Sequence, residues 1–169
     1  GSAGSNDAQV KITGGNITAT SDDWGAGIGS GSYGTGTVEI TGGEINATGG
    51  YLGAGIGGGC NGSGNVTISG GTITEASGGY MAAGIGSGHQ GLGSVTIEGD
   101  AVIKNAQGGE AGAGIGSGTY GDSEIIIRGD AVIENAESSA NGAGIGSGQG
   151  DLYPDGDGMV IALTVGNVT

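Results

Sequence analysis

Apolar residues in this chain recur two positions apart, and the pattern itself recurs about every 29 residues. Val38 and Ile40 form one such pair; Val66 and Ile68, Val95 and Ile97, and Ile125 and Ile127 repeat it. A second pair, Ile45 and Ala47, follows a Gly-Gly step. A third lies in the glycine-rich heptad GAGIGSG at 25–31, with Ala26 and Ile28. Near-copies of the heptad stand at 53–59, 82–88, 112–118 and 142–148. Aligned on Ala26, Ala54, Ala83, Ala113 and Ala143, the steps are 28, 29, 30 and 30 residues. Seven residues before each stands another alanine: Ala19, Ala47, Ala76, Ala106 and Ala136. Period two is the signature of a strand with one buried face. Gly-Gly, Gly-Asp and Ser-Gly pairs separate the segments as turns. No segment carries a period of 3.6, and each glycine costs a helix about 1 kcal/mol against alanine.

Three short strands per unit, at constant register, predict an all-β chain folded as a right-handed parallel β-helix of five to six coils. Coils of such a solenoid stack about 4.8 Å apart. Inward residues then form ladders, Val on Val, Ile on Ile and Ala on Ala, and burial comes from stacking because one coil cannot cover its own apolar face. Handedness follows from the general preference of parallel crossovers. The final stretch MVIALTVGNVT alternates again and starts a sixth coil, with Val160 in the ladder position. Residues 1–7, opening GSAGS, read as a scar and linker, and 8–169 as one β-helix domain cut from a larger protein. Neither end carries a helical cap, so the open coil edges call for neighbouring coils or for self-association with a partner chain.

Units such as VTISGGTITEASGGYMAAGIGSG resemble the glycine-rich β-helix repeats in surface proteins of anaerobic, largely gut-dwelling Gram-positive bacteria. The resemblance spans about residues 8 to 165 and rests on Gly-Ala-Gly-Ile-Gly followed by Ser-Gly or Gly-Gly. It implies an extracellular, modular region tied to carbohydrate or host contact. The turns Gly99-Asp100 and Gly129-Asp130 and the long last loop depart from the pattern.

Composition narrows the function. Glycine supplies 47 of 169 residues, phenylalanine none, and the core must therefore be built from small and β-branched side chains. Lys11, Lys104 and Arg128 are the only cations against 17 acids, a net charge of −14. Nucleic acid and anionic membrane surfaces both need basic patches, so neither is an expected partner. No apolar run approaches a membrane span. Cys60 is alone, which excludes an internal disulfide and a Cys/His metal cluster.

The heptad is too frequent to be a phosphate loop, which opens a helix and occurs once. As an extended strand it would point Ala and Ile inward and Gly25, Gly27 and Gly29 outward, leaving a flat face bare of side chains. Two rows flank that face. Trp24, Tyr51 and Tyr80 precede the heptad, followed in later coils by Glu110 and Ala140; Tyr33, Asn61, Gln90 and Tyr120 follow it. Aromatic rings stack on the apolar faces of sugars, and amide side chains hydrogen-bond their hydroxyls. The loop DLYPDGDG holds Asp151, Asp155 and Asp157, half of a calcium-type loop, since Ca²⁺ takes oxygen ligands; calcium is the one candidate ion. Asp100 and Asp130 repeat at equivalent turns, where Asp commonly serves its own backbone, and no paired acid–base set stands out. An ice-binding threonine row begins at Thr18 and Thr74 but is broken by Asn46, Lys104 and Glu134. The expectation is a non-catalytic extracellular binding or adhesion module of a bacterial cell surface. Its ligand would be a polysaccharide or host glycan on the aromatic-flanked face. A host protein such as a glycoprotein or immunoglobulin on the same face, and a passive stalk, are the alternatives.

Overall fold

The computed structural model describes residues 6–150 and the strand at 164–165. Coil one holds β1 (Ala8–Thr20) and β2 (Ile28–Gly29); coil two holds β3 (Thr35–Thr48) and β4 (Ile56–Gly57). Coil three has β5 (Ser63–Ile68), β6 (Thr72–Ser77) and β7 (Ile85–Gly86). Coil four has β8 (Gly93–Ile97), β9 (Val102–Ile103), β10 (Ala106–Gly108) and β11 (Ile115–Gly116). Coil five has β12 (Ser123–Ile127), β13 (Val132–Ile133), β14 (Ala136–Ser138) and β15 (Ile145–Gly146), and β16 (Thr164–Val165) begins another. The chain is a parallel β-solenoid, as its periodicity predicts. In the first two coils the first and second segments run on as one long strand; from coil three the turn between them breaks the ladder.

Register produces the expected ladders. Val10, Val38, Val66, Val95 and Ile125 stand in line, and so do Ile12, Ile40, Ile68, Ile97 and Ile127. Ile17, Ile45, Ile73, Ile103 and Ile133 form a third line, and Ala19, Ala47, Ala76, Ala106 and Ala136 a fourth. The heptad isoleucines Ile28, Ile56, Ile85, Ile115 and Ile145 make the fifth, in a separate sheet. The middle-coil isoleucines are fully buried, and each such side chain contributes about 1.5–3 kcal/mol. The lengthening of the repeat avoids these ladders. The step to coil three adds a bulged residue, since Ile45 pairs Ile73 but Asn46 pairs Glu75. The next step adds a residue at the Gly99-Asp100 turn, on the outside.

Two expectations need correction. The heptad is not an extended strand: only its Ile-Gly pair ladders, and the chain folds back around it. The amide of Ala26 donates to the carbonyl of Ser30 at 3.0 Å, and Ala54, Ala83, Ala113 and Ala143 repeat this bond four residues ahead. The fold-back requires φ of +138° at Gly29 and between +131° and +146° at Gly57, Gly86, Gly116 and Gly146, a region closed to side chains. The sixth coil also starts later than Val160: Val165 pairs Ile127, which the earlier register would have given to residue 162.

Candidate binding strip at the heptad corner

Fold-back of the heptad decides what its glycines do. They do not form a bare outer face. A Cβ on Gly27 would lie 2.6 Å from the carbonyl oxygen of Thr48, and one on Gly84 2.6 Å from that of Ala76. One on Gly57 would lie 1.9 Å from the carbonyl oxygen of Gly86 in the next coil. Gly55, Gly57, Gly84, Gly86, Gly114 and Gly116 are buried. The glycines are small because backbone packs on backbone there, both across the corner and between coils.

What the corner does expose is its two flanking turns. After each heptad the chain makes a four-residue turn: Gly34 N–H donates to Gly31, Gly62 to Gly59, Gly91 to Gly88 and Gly121 to Gly118. The third residue of each turn is Tyr33, Asn61, Gln90 or Tyr120, and all four have left-handed backbone, with φ of 62°, 53°, 57° and 58°. Glycine or asparagine suits that conformation; tyrosine and glutamine are strained in it. A buried serine braces the strained turns. Ser30 Oγ donates to the carbonyl of Gly34 at 3.0 Å, Ser87 to Gly91 at 2.8 Å, and Ser117 to Gly121 at 2.7 Å. The coil whose heptad has Gly58 in place of serine is the coil that carries Asn61, the residue best able to sit there unaided. These hydroxyls are engaged inside the scaffold, which is a structural role and not an anion cradle.

The turn before the heptad lies against the turn that follows it one coil on. The carbonyls of Trp24, Leu52, Met81 and Ala111 accept from the amides of Cys60, His89, Thr119 and Gln149. The two rows therefore merge into one strip along the solenoid. Within it Tyr51 and Tyr80 stack, with ring centroids 5.7 Å apart and planes 3° from parallel. His89 meets Tyr120 edge-on at 5.8 Å. Trp24, Tyr33, Tyr51, Tyr80 and Tyr120 are all exposed, Tyr33 to 67%. The same hydrogen bonds correct one member of the first row. Trp24 occupies the backbone place of Leu52 and Met81, whereas Tyr51 and Tyr80 share theirs with Asp23 and Glu110. A strict count of three residues back from the heptad alanine finds Asp23; allowing two or three mistakes Trp24 for its equivalent. Asn61 and Gln90 lie where the sequence places them, in line with Tyr33 and Tyr120. The left-handed row is invisible to pattern reading, since nothing in Ser-Tyr-Gly or His-Gln-Gly marks a positive φ.

Electrostatics in the strip are acidic. The Glu110 carboxylate, near Tyr80 and hydrogen-bonded to its hydroxyl, raises the Tyr80 phenol above its usual value; desolvation and Tyr51 add to this. Burial pushes His89 below the ordinary imidazole value, so it is neutral at neutral pH. Burial pushes the Cys60 thiol up, away from the reactive thiolate, and Asn61 hydrogen-bonds its sulfur at 3.1 Å. Asp151, Asp155 and Asp157 lie outside the described residues. Among the described residues, no group of three or more His, Cys, Asp or Glu side chains is gathered to hold a metal.

A family model described as a β-helix repeat matches residues 10–32, 34–60, 66–89 and 95–119, more than half of the chain. No curated protein and no solved structure matches the chain significantly.

Proposed function

The chain belongs to the β-helix repeat family, and on that scaffold we propose a non-catalytic binding module that takes carbohydrate along the aromatic strip at the heptad corner. The observation that carries this reading is the row Tyr33, Asn61, Gln90 and Tyr120, four side chains held in successive coils on backbone that glycine would adopt at lower cost. A scaffold with 47 glycines has no shortage of that residue, yet these turns keep tyrosine and amide side chains at the surface. Strain retained at exposed positions is a mark of use rather than of folding. The exposed rings of Tyr51 and Tyr80, stacked in successive coils, offer aromatic carbon to the apolar face of a sugar, and Asn61 and Gln90 carry both donors and acceptors for its hydroxyls. The same reading makes the module extracellular, on a bacterial surface, where such a polymer or a host glycan would be met.

A glycan array probed with the wild-type chain and with Tyr51→Ala and Tyr80→Ala variants tests it. Both rings lie outside the isoleucine core, at 59% and 41% exposure, so the variants keep their fold, checked by circular dichroism. Each loses about three- to tenfold in affinity, the measure of one aromatic contact. A wild-type chain that holds no glycan overturns the reading. Capture of a host glycoprotein that survives its deglycosylation replaces the sugar by a protein partner.

A further inference from the structure

We propose that the strip selects glycans bearing protonated amino groups over their N-acetylated and anionic counterparts, an inference that rests on the glycan reading above. One backbone place, taken coil by coil, holds Asp23, Tyr51, Tyr80 and Glu110. The equivalence is geometric. The next residue in each coil, Trp24, Leu52, Met81 or Ala111, accepts through its carbonyl from one row of amides, those of Cys60, His89, Thr119 and Gln149, which sets the residues before them in line. A stacked tyrosine pair thus has a carboxylate one coil away on either side, and Glu110 reaches the Tyr80 hydroxyl. Asp22 adjoins Asp23, and Asp122 lies two residues past Tyr120.

Positive charge lies elsewhere. Lys11 is paired with Glu39 at 2.8 Å and Arg128 with Glu98, both on the strand walls. Lys104 follows β9 on the second wall, its amide bonded to Ile73. No lysine or arginine occurs in the turns before or after any heptad of the described coils. His89, beside Tyr120, is the strip's only basic side chain, and its burial disfavours the charged form. An anionic sugar would therefore meet like charge without a counterion. An ammonium group would meet both a carboxylate and the negative face of a ring, two attractions that act on the same cation. A sugar ring carrying that ammonium also uses the exposed aromatic carbon of the tyrosines, which a bare cation does not.

The test is calorimetric titration of the wild-type chain with glucosamine oligomers, and with the same oligomers fully N-acetylated, at slightly acidic pH and at low and high salt. The amine form binds roughly tenfold tighter, the combined effect of two exposed charge contacts of a factor of a few each. Added salt erodes the preference. A double variant, Asp23→Asn with Glu110→Gln, abolishes it, so that the two oligomers bind within about twofold of each other. Equal binding of both forms by the wild type, or a preference that survives in the double variant, overturns the selectivity and leaves the glycan reading intact. If no glycan of any charge binds, both fall together.

Discussion

Glycine in the heptad answers to two separate demands, and substitution can separate them. Gly86 faces both: its φ is +133°, and a Cβ there would lie 1.8 Å from the carbonyl oxygen of Gly116 in the next coil. Gly84 has no such φ but would place its Cβ 2.6 Å from the Ala76 carbonyl oxygen. Gly15 has a φ of +93° with nothing within 4 Å, and Gly14 has open space and no positive φ. Alanine at Gly14 is therefore expected to change stability by no more than about 0.5 kcal/mol. At Gly15 the backbone term alone costs about 1–3 kcal/mol. At Gly84 the overpacking term alone costs about 1–3 kcal/mol. At Gly86 both act, and the clash is with backbone of a neighbouring coil that cannot move without opening the ladder, so the loss is at least about 3 kcal/mol. Urea unfolding followed by far-ultraviolet circular dichroism reads the order from the midpoints at common slope. If Gly86→Ala unfolds within about 1 kcal/mol of Gly14→Ala, the heptad glycines are not packed as described.

Two further outcomes follow from the strip. Removing the brace in Ser117→Ala leaves the half-buried Gly121 carbonyl without its 2.7 Å partner and costs about 0.5–1.5 kcal/mol in the same assay; adding Tyr120→Gly, which relieves the left-handed strain, recovers part of that loss. No recovery would mean the turn is not strained. Spectrophotometric titration of the tyrosines sees Tyr80 ionise above the ordinary phenol value of 10.0, and Glu110→Gln brings it back toward that value. Because the raised value belongs to the folded state, the unfolded chain loses this proton first as pH rises. The stability linked to Tyr80 is thus fully present below the ordinary value and declines as pH climbs through the folded one.

Much of the solenoid could be read directly from residue spacing. Val38, Ile40, Ile45, Ala47 and Ile56 fall into ladders with their equivalents because a buried face imposes strict alternation, and a one-residue slip would expose it. The extra residues of later coils were legible as insertions for the same reason, since they lie between ladder positions. The heptad was half legible. Its isoleucine took the inward place, but alternation assigned its glycines to the outside. Alternation carries no information about the sign of φ, and a chain of glycines can turn where other residues must extend. That local reversal inverted the expected site: the glycines went inside, and the turns on either side became the surface.

The sequence by itself determined the coil, its length, its inward residues and its excess of negative charge, because each follows from side-chain type at a fixed period. It also placed Tyr33, Asn61, Gln90 and Tyr120 in one row. Only the tertiary structure decided that these four stand on left-handed backbone, that Tyr51 and Tyr80 stack, and that Asp23 rather than Trp24 continues their line. Those facts depend on which carbonyl of one coil meets which amide of the next. That choice is made by the closing of the whole turn, not by any residue within it.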